Sequence, residues 1–249
     1  MIHVNAMNRA DCYWLPSSFW ARLVLWLAVV ALASTSGVAL SAEPVTPPNR
    51  LVILGASYAG SWGTPPLPGY SVVNRGVGGE QTGGMRARFQ KDVIAAQPKA
   101  VLIWGHINNI TQTGFGDAAK LAAVKKAAQD DYLWMLQQAR AAGIDVILAT
   151  EIPLAEPTGL VNGAVAFING LRGKQSYATQ VNREVRELNA FVRQLAAREK
   201  LVLLDFEKVF APEGGARKSE FAKEDRSHVT PAGYQALTRY AVAELGKRR

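Results

Sequence analysis

The chain has 249 residues, of which 28 are lysine or arginine and 20 are aspartate or glutamate, giving a formal net charge of +8. Nearly half of the residues are hydrophobic, which is enough for a substantial core. The basic residues are scattered among acidic ones along helix-like segments, without a basic stripe interleaved with aromatics. The charge therefore predicts a solvated surface and no nucleic-acid partner.

The first 42 residues are typical of a secretory signal peptide. Arg22 precedes a wholly apolar run over residues 23–32, and small residues follow up to Ala42. Cleavage after Ser41 or Ala42 would deliver the protein to the periplasm or the medium. The alternative is an uncleaved N-terminal anchor, because residues 23–42 are just long enough to span a bilayer.

Cleavage of that leader leaves 207 residues, the size of one medium domain. We expect a linker over residues 43–49 and a single domain over residues 50–249. The only cysteine, Cys12, leaves with the leader, so the mature chain has no disulfide, thiolate metal site or cysteine nucleophile. We expect no metal or organic cofactor, no stable membrane span after processing, and a monomer.

Short apolar runs alternate with longer segments of helical period along the mature chain. Strands are predicted at residues 50–54, 71–74, 100–104, 145–149 and 201–204, and helices at residues 82–96, 117–142, 177–200 and 231–247, the last capped by Thr230. Continuous apolar runs indicate strands covered on both faces, so the alternation favours a parallel sheet between helical layers. The Gly-, Asn- and Pro-rich segment 153–176 is predicted to be a functional loop.

Residues able to do chemistry follow these strands at their carboxyl ends, where parallel sheets bind ligands. Ser57 follows the first strand, Gly79 the second, His106 to Asn109 the third, and Asp225 to His228 lies beyond the fifth. Each signal taken singly is common in ordinary turns. Their joint occurrence in this order is what predicts an active site.

Together these residues supply the parts that an acyl transfer requires. Ser57 would be the nucleophile, His228 would accept its proton, and Asp225 would orient the imidazole. The backbone N–H groups of Ser57 and Gly79, with the side-chain amide of Asn108, would stabilise the oxyanion.

This set resembles the SGNH hydrolases, the GDSL-type esterase/lipase superfamily, over essentially the whole segment 50–246. The family is named for a Ser, a Gly, an Asn and a His in separate sequence blocks, which Ser57, Gly79, Asn108 and His228 match, while Asp225 completes the Asp-x-x-His pair of the last block. The resemblance implies a flavodoxin-like three-layer α/β/α sandwich with a five-stranded parallel sheet.

Two blocks depart from the family pattern. Gly-Asp-Ser is replaced by Gly-Ala-Ser at residues 55–57, and in the third block Asn109 replaces the usual aspartate. Gly105 lies one residue too early, so His106 occupies the place of the family glycine. His106 and Asn109 are expected to contact substrate, and the alternative for His106 is a hydrogen-bonded structural residue.

The sequence thus predicts a secreted serine esterase that acts on acyl or acetyl esters of a glycan, a lipid or a small molecule. The alternative is a non-catalytic envelope protein that binds a glycan on the same scaffold. An α/β-hydrolase fits poorly, because its Gly-x-Ser-x-Gly elbow is absent around Ser57, which is followed by Tyr-Ala-Gly.

Overall fold

A computed structural model describes residues 49–156, 175–211 and 215–247, and a five-stranded parallel sheet lies within them. The strands are β1 (Arg50–Gly55), β2 (Ser71–Gly76), β3 (Ala100–Trp104), β4 (Asp145–Ala149) and β5 (Val202–Leu204). Their order across the sheet is β2-β1-β3-β4-β5, as in flavodoxin-like doubly wound folds. The predicted sheet is confirmed, and its strand limits differ from the prediction by no more than two residues.

The sheet is covered on both faces, as its continuous apolar runs predicted. Along β1, Leu51 and Ile53 pack into one hydrophobic cluster, whereas Val52 and Leu54 pack into another. This division follows from the alternation of strand side chains between the two faces. All four side chains are fully buried, so the sheet forms the middle layer of an α/β/α sandwich.

Helices form the two outer layers. They are α1 (Ser57–Trp62), α2 (Thr82–Ala87), α3 (Phe89–Asp92), α4 (Ile107–Thr113), α5 (Ala118–Ala141), α6 (Tyr177–Arg198), α7 (Phe206–Phe210) and α8 (Pro231–Gly246), with 3₁₀ turns at Ile94–Ala96 and Ser219–Phe221. The long helices α5, α6 and α8 begin and end within two residues of their predicted limits. Thr230 caps α8 as predicted, because its hydroxyl accepts the backbone N–H of Gly233.

The prediction of one helix over residues 82–96 is wrong, because the segment folds as α2, α3 and a 3₁₀ turn. Arg88 lies at the break with φ −98° and ψ 3°. Its guanidinium donates to the Glu80 carboxylate at 2.6 Å, to Asp92 at 2.7 Å and to the Gly55 carbonyl at 3.2 Å. These bonds tie the end of β1 to the loop after β2, and helical periodicity carries no information about them.

The start of α1 is fixed against the edge strand β2. A Cβ on Gly76 would lie 2.1 Å from the backbone nitrogen of Gly60, so only glycine allows β2 and α1 to approach this closely. The Asn74 side chain donates to the Ala59 carbonyl at 2.7 Å. Both contacts hold the first turn of α1 at the carboxyl edge of the sheet.

Three of the predictions fall largely on parts of the chain outside the described residues. These are the signal peptide over residues 1–42, most of the linker at 43–49, and most of the loop at 153–176. Within the ranges that the structure covers, no helix is long and apolar enough to cross a membrane. The processing site and the compartment therefore stay predictions.

Candidate active site

The nucleophile turn (residues 55–58) connects β1 directly to α1. Ser57 is the first residue of α1 and is partly exposed, whereas Ala56 before it and Tyr58 after it are buried. Buried neighbours on both sides fix the backbone of the turn and leave the Ser57 side chain at the carboxyl edge of the sheet. This is the position predicted for a nucleophile.

The base loop (residues 225–228) brings Asp225 and His228 together. The imidazole Nδ1 of His228 lies 2.7 Å from Oδ2 of Asp225. The other carboxylate oxygen accepts the backbone N–H groups of His228 at 2.8 Å and Ser227 at 2.9 Å. Arg226 adopts a left-handed φ of 57°, which closes the turn so that the two side chains meet.

This geometry determines the charge of Asp225 and the tautomer of His228. The backbone N–H of His228 and the imidazole bond lower the pKa of the Asp225 carboxyl to about 2, so the group is ionised at neutral pH. A carboxylate can only accept, so the neutral imidazole carries its proton on Nδ1. The Nε2 atom of His228 is then an acceptor, as a general base requires.

The base loop is bonded to the nucleophile turn. The Tyr58 hydroxyl donates to the Ser227 carbonyl at 2.8 Å, which joins the residue after Ser57 to the residue before His228. The buried guanidinium of Arg217 donates to the same Tyr58 oxygen at 2.6 Å. Neither residue was predicted to belong to the site, because nothing in the sequence marks Tyr58 as bonded to the base loop or Arg217 as buried.

The loop after β2 meets α4 next to this turn. The Asn108 side-chain amide donates to the Glu80 carbonyl at 2.9 Å, and Gln112 donates to the Gly79 carbonyl at 2.6 Å. Gly79 has a φ of 74°, a conformation that favours glycine. The structure thus brings Asn108 to the Gly79 loop, and one of its two amide hydrogens is not needed for the bond to Glu80.

Asn109 does not reach the surface, and its assignment to substrate binding stays a prediction. Its side chain is buried, accepts the backbone N–H of Thr82 at 3.1 Å, and donates to the Thr82 hydroxyl at 3.0 Å. The same hydroxyl donates to Asp131 at 2.8 Å. Asn109 therefore fastens α4 to the start of α2.

His106 is also interior, with 1% of its surface exposed, and its predicted contact with substrate stays a prediction. Its Nδ1 lies 3.3 Å from the Tyr132 hydroxyl. Burial lowers the pKa of the His106 imidazole to about 3, which keeps it neutral at physiological pH. The structure favours the structural role that the sequence left open.

Glu151, a buried carboxyl two residues beyond the end of β4, was not among the predicted site residues. One of its oxygens accepts the backbone N–H of His106 at 3.3 Å, at the start of α4. Burial raises the pKa of the Glu151 carboxyl to about 7, against the opposing effect of the bond from His106. Its position after the apolar run of β4 was the signal that could have identified it.

Two cavities lie near the base loop, one lined by residues of the loop and the other by Lys223 and Val229 on either side of it. One, of about 390 Å³, is lined by the apolar side chains of Leu154 and Ala178 and by Asp225. The other is an open groove of about 770 Å³ between α1 and α8, lined by Trp62 and Tyr234 among others. Space for a substrate is therefore present on the flanks of this loop.

The chain matches the GDSL-like Lipase/Acylhydrolase family over residues 48–236. A GDSL-like lipase from Bacteroides thetaiotaomicron has the same fold, with a TM-score of 0.62 and 22% identity, over 92% of this chain and 98% of that one. A putative acylhydrolase from Bacteroides fragilis has a TM-score of 0.61 and 23% identity, over 83% and 90% of the two chains.

An acetylxylan esterase from Geobacillus stearothermophilus also shares the fold, with a TM-score of 0.60 and 18% identity, over 80% of this chain and 94% of that one. An uncharacterized lipoprotein of Bacillus subtilis (strain 168), YqeF, is 32% identical over 88 residues. That match covers 35% of this chain and 35% of the lipoprotein.

Identities this low show only a common fold for the solved structures. The family match itself extends from the residues before β1 into α8, which is well over half of the chain. It confirms the resemblance that the separate sequence blocks predicted. The chain belongs to the GDSL-like lipase/acylhydrolase family and is an SGNH-type ester hydrolase.

Proposed function

We propose that the protein is a serine esterase whose triad is Ser57, His228 and Asp225. The observation that carries this proposal is the 2.7 Å bond between Asp225 and His228 on a loop that Tyr58 bonds to the nucleophile turn. The carboxylate holds the proton on Nδ1, so Nε2 of His228 is the atom that takes the hydroxyl proton of Ser57.

In the first half of the reaction, the Ser57 oxygen attacks the acyl carbon and His228 accepts the proton. The tetrahedral oxyanion is stabilised by the backbone N–H groups of Ser57 and Gly79 and by the Asn108 amide. His228 then protonates the leaving alcohol. Water, deprotonated by the same imidazole, releases the acid from the acyl-enzyme.

The substrates that we propose are acyl or acetyl esters of a glycan, a lipid or a small molecule. The fold shared with an acetylxylan esterase supports the acetylated glycan within this set. We also propose that the protein is secreted after cleavage of residues 1–42. The partial similarity to a protein named as a lipoprotein is consistent with an envelope location.

A fluorophosphonate probe tests the proposal directly, because it labels only a serine that has been activated as a nucleophile. We expect wild-type protein to be labelled, mass spectrometry to find the adduct on Ser57, and Ser57→Ala to abolish labelling. Ser61→Ala, which removes a hydroxyl one turn further along α1, is the matched control and should be labelled normally. Folded wild-type protein that stays unlabelled would favour the glycan-binding alternative.

A further inference from the structure

We propose that Arg217 is a positioning residue for the triad, and that its guanidinium and the Tyr58 hydroxyl together hold the base loop against the nucleophile turn. The inference rests on the proposed function, since it concerns the approach of His228 to Ser57. It assigns a role to a buried cation that the proposed chemistry does not itself use.

The guanidinium of Arg217 joins three segments of the chain. Its Nε donates to the Pro153 carbonyl beyond β4 at 2.7 Å. One terminal nitrogen donates to the Ser227 carbonyl at 2.7 Å and to the His228 carbonyl at 3.1 Å. The other donates to the Tyr58 hydroxyl at 2.6 Å. A single planar group thus fixes the peptide planes on both sides of the His228 α-carbon and contacts the residue next to Ser57.

Tyr58 completes this arrangement. Its hydroxyl accepts from Arg217 and donates to the Ser227 carbonyl at 2.8 Å, so arginine, tyrosine and loop carbonyl form a closed triangle of hydrogen bonds. The Arg217 carbon Cζ also lies 5.3 Å from the centre of the Tyr58 ring, within the range of a cation–π contact. At the other end of the residue, the Tyr58 carbonyl accepts from the Tyr234 hydroxyl at 3.1 Å.

The surroundings of Arg217 argue against a role in stability alone. Only 3% of its surface is exposed, yet it has no carboxylate within 4.0 Å among the residues that the structure describes. Its bonds go to neutral oxygens, which compensate the burial of a full charge less well than a carboxylate does. A planar fork that reaches both halves of the triad is the feature that an apolar or shorter side chain cannot supply.

The catalytic consequence follows from distance. Proton transfer requires the imidazole within hydrogen-bond reach of the serine hydroxyl, and a displacement of about 1 Å can cost about a hundred-fold in rate. Loosening the base loop leaves the bond between Asp225 and His228 intact, because both residues move together. The pair then remains chemically competent but lies at the wrong distance from Ser57.

The experiment compares Arg217→Lys and Tyr58→Phe with wild type, using p-nitrophenyl acetate turnover and the rate of fluorophosphonate labelling. Lysine keeps the charge but loses the planar fork, and phenylalanine keeps the ring but loses the hydroxyl. We expect Arg217→Lys to lower kcat about ten-fold or more and Tyr58→Phe several-fold, each with KM within about two-fold. The double variant should lose less than the product of the two single losses, since the variants break a shared bond.

Arg193→Lys is the matched control, because Arg193 is bonded to Asp205 at 2.7 Å, outside the nucleophile turn and the base loop. It should lower Tm while kcat stays within about two-fold. If Arg217→Lys does not fold, Tyr58→Phe decides the question. Folded variants that keep wild-type kcat and labelling rate would overturn the positioning role while leaving Ser57 as the labelled residue. If folded wild-type protein is not labelled at Ser57, the proposed function is overturned instead.

Discussion

The side-chain amide of Asn108 lies 2.9 Å from the backbone carbonyl of Glu80, so α4 is bonded to the loop that carries Gly79. This bond orients the amide beside the glycine, and the second amide hydrogen remains for a ligand. One hydrogen bond thus joins the two segments that carry Asn108 and Gly79, the oxyanion donors predicted from different sequence blocks.

The first prediction separates Asn108 from its neighbour Asn109. A donor that acts on the oxyanion matters mainly in the transition state, so Asn108→Ala should lower kcat about a hundred-fold or more with little change in KM. Asn109→Ala should act on stability instead, because it leaves the buried N–H of Thr82 without its acceptor. Steady-state kinetics and Tm of both variants measure this. A larger kcat loss in Asn109→Ala than in Asn108→Ala would contradict the assignment of Asn108 and would mean that Asn109 matches the asparagine of the third block.

The second prediction concerns the partner of the base. Asp225→Asn replaces a group that can only accept with an amide, so the imidazole tautomer is no longer fixed. We expect kcat to fall about a thousand-fold or more while Tm changes little, because the Asp225 side chain is half exposed. Glu224→Gln, the isosteric change at the preceding exposed residue, is the control and should behave as wild type. A kcat for Asp225→Asn within ten-fold of wild type would remove Asp225 from the triad.

The third prediction is a pH dependence of stability that arises from Glu151. Burial raises the pKa of its carboxyl from 4.5 to about 7. At pH values between these two, the folded state keeps a proton on Glu151 that the unfolded state has lost. The stability contributed by the neutral carboxyl is complete below about pH 4.5 and is lost as pH rises through about 7. Glu151→Gln keeps a neutral side chain of the same shape at every pH. The free energy of unfolding of the variant, minus that of wild type, should therefore increase by up to about 3 kcal/mol as pH rises over that range.

Urea unfolding of both proteins at pH 4.5, 6 and 8 measures this difference. Taking the difference removes the contribution of His106, whose lowered pKa makes stability fall as pH drops below its ordinary value. An unchanging difference between variant and wild type across the three pH values would show that the pKa of Glu151 is the same in the folded and unfolded states, and would contradict its elevation.

The fourth prediction concerns the leader. We expect protein recovered from the periplasm or medium to begin at Ala42 or Glu43, because the apolar run and the small residues after it fit a cleavable signal. N-terminal peptide mass spectrometry measures this. A soluble cytoplasmic product that retains residues 20–42 would rule out the signal peptide.

The sequence was sufficient for features that depend on local pattern. The apolar runs of β1, β3 and β4 lie fully or almost fully in the sheet, and the Asp-x-x-His spacing gave a pair that the structure brings to 2.7 Å. Features that depend on contacts between distant segments could not be predicted. The break at Arg88, the burial of His106 and the bonds of Arg217 each depend on partners from other parts of the chain.

The turnover of a short-chain ester by Ser57→Ala tests the central claim most directly. A loop hydroxyl contributes little packing, so the variant should keep the wild-type Tm. We predict that its kcat for p-nitrophenyl acetate falls about a thousand-fold or more, as expected when a triad loses its nucleophile, while Ser61→Ala stays at wild-type activity. A folded Ser57→Ala variant that retains more than about a tenth of wild-type turnover would contradict the assignment of Ser57 as the nucleophile.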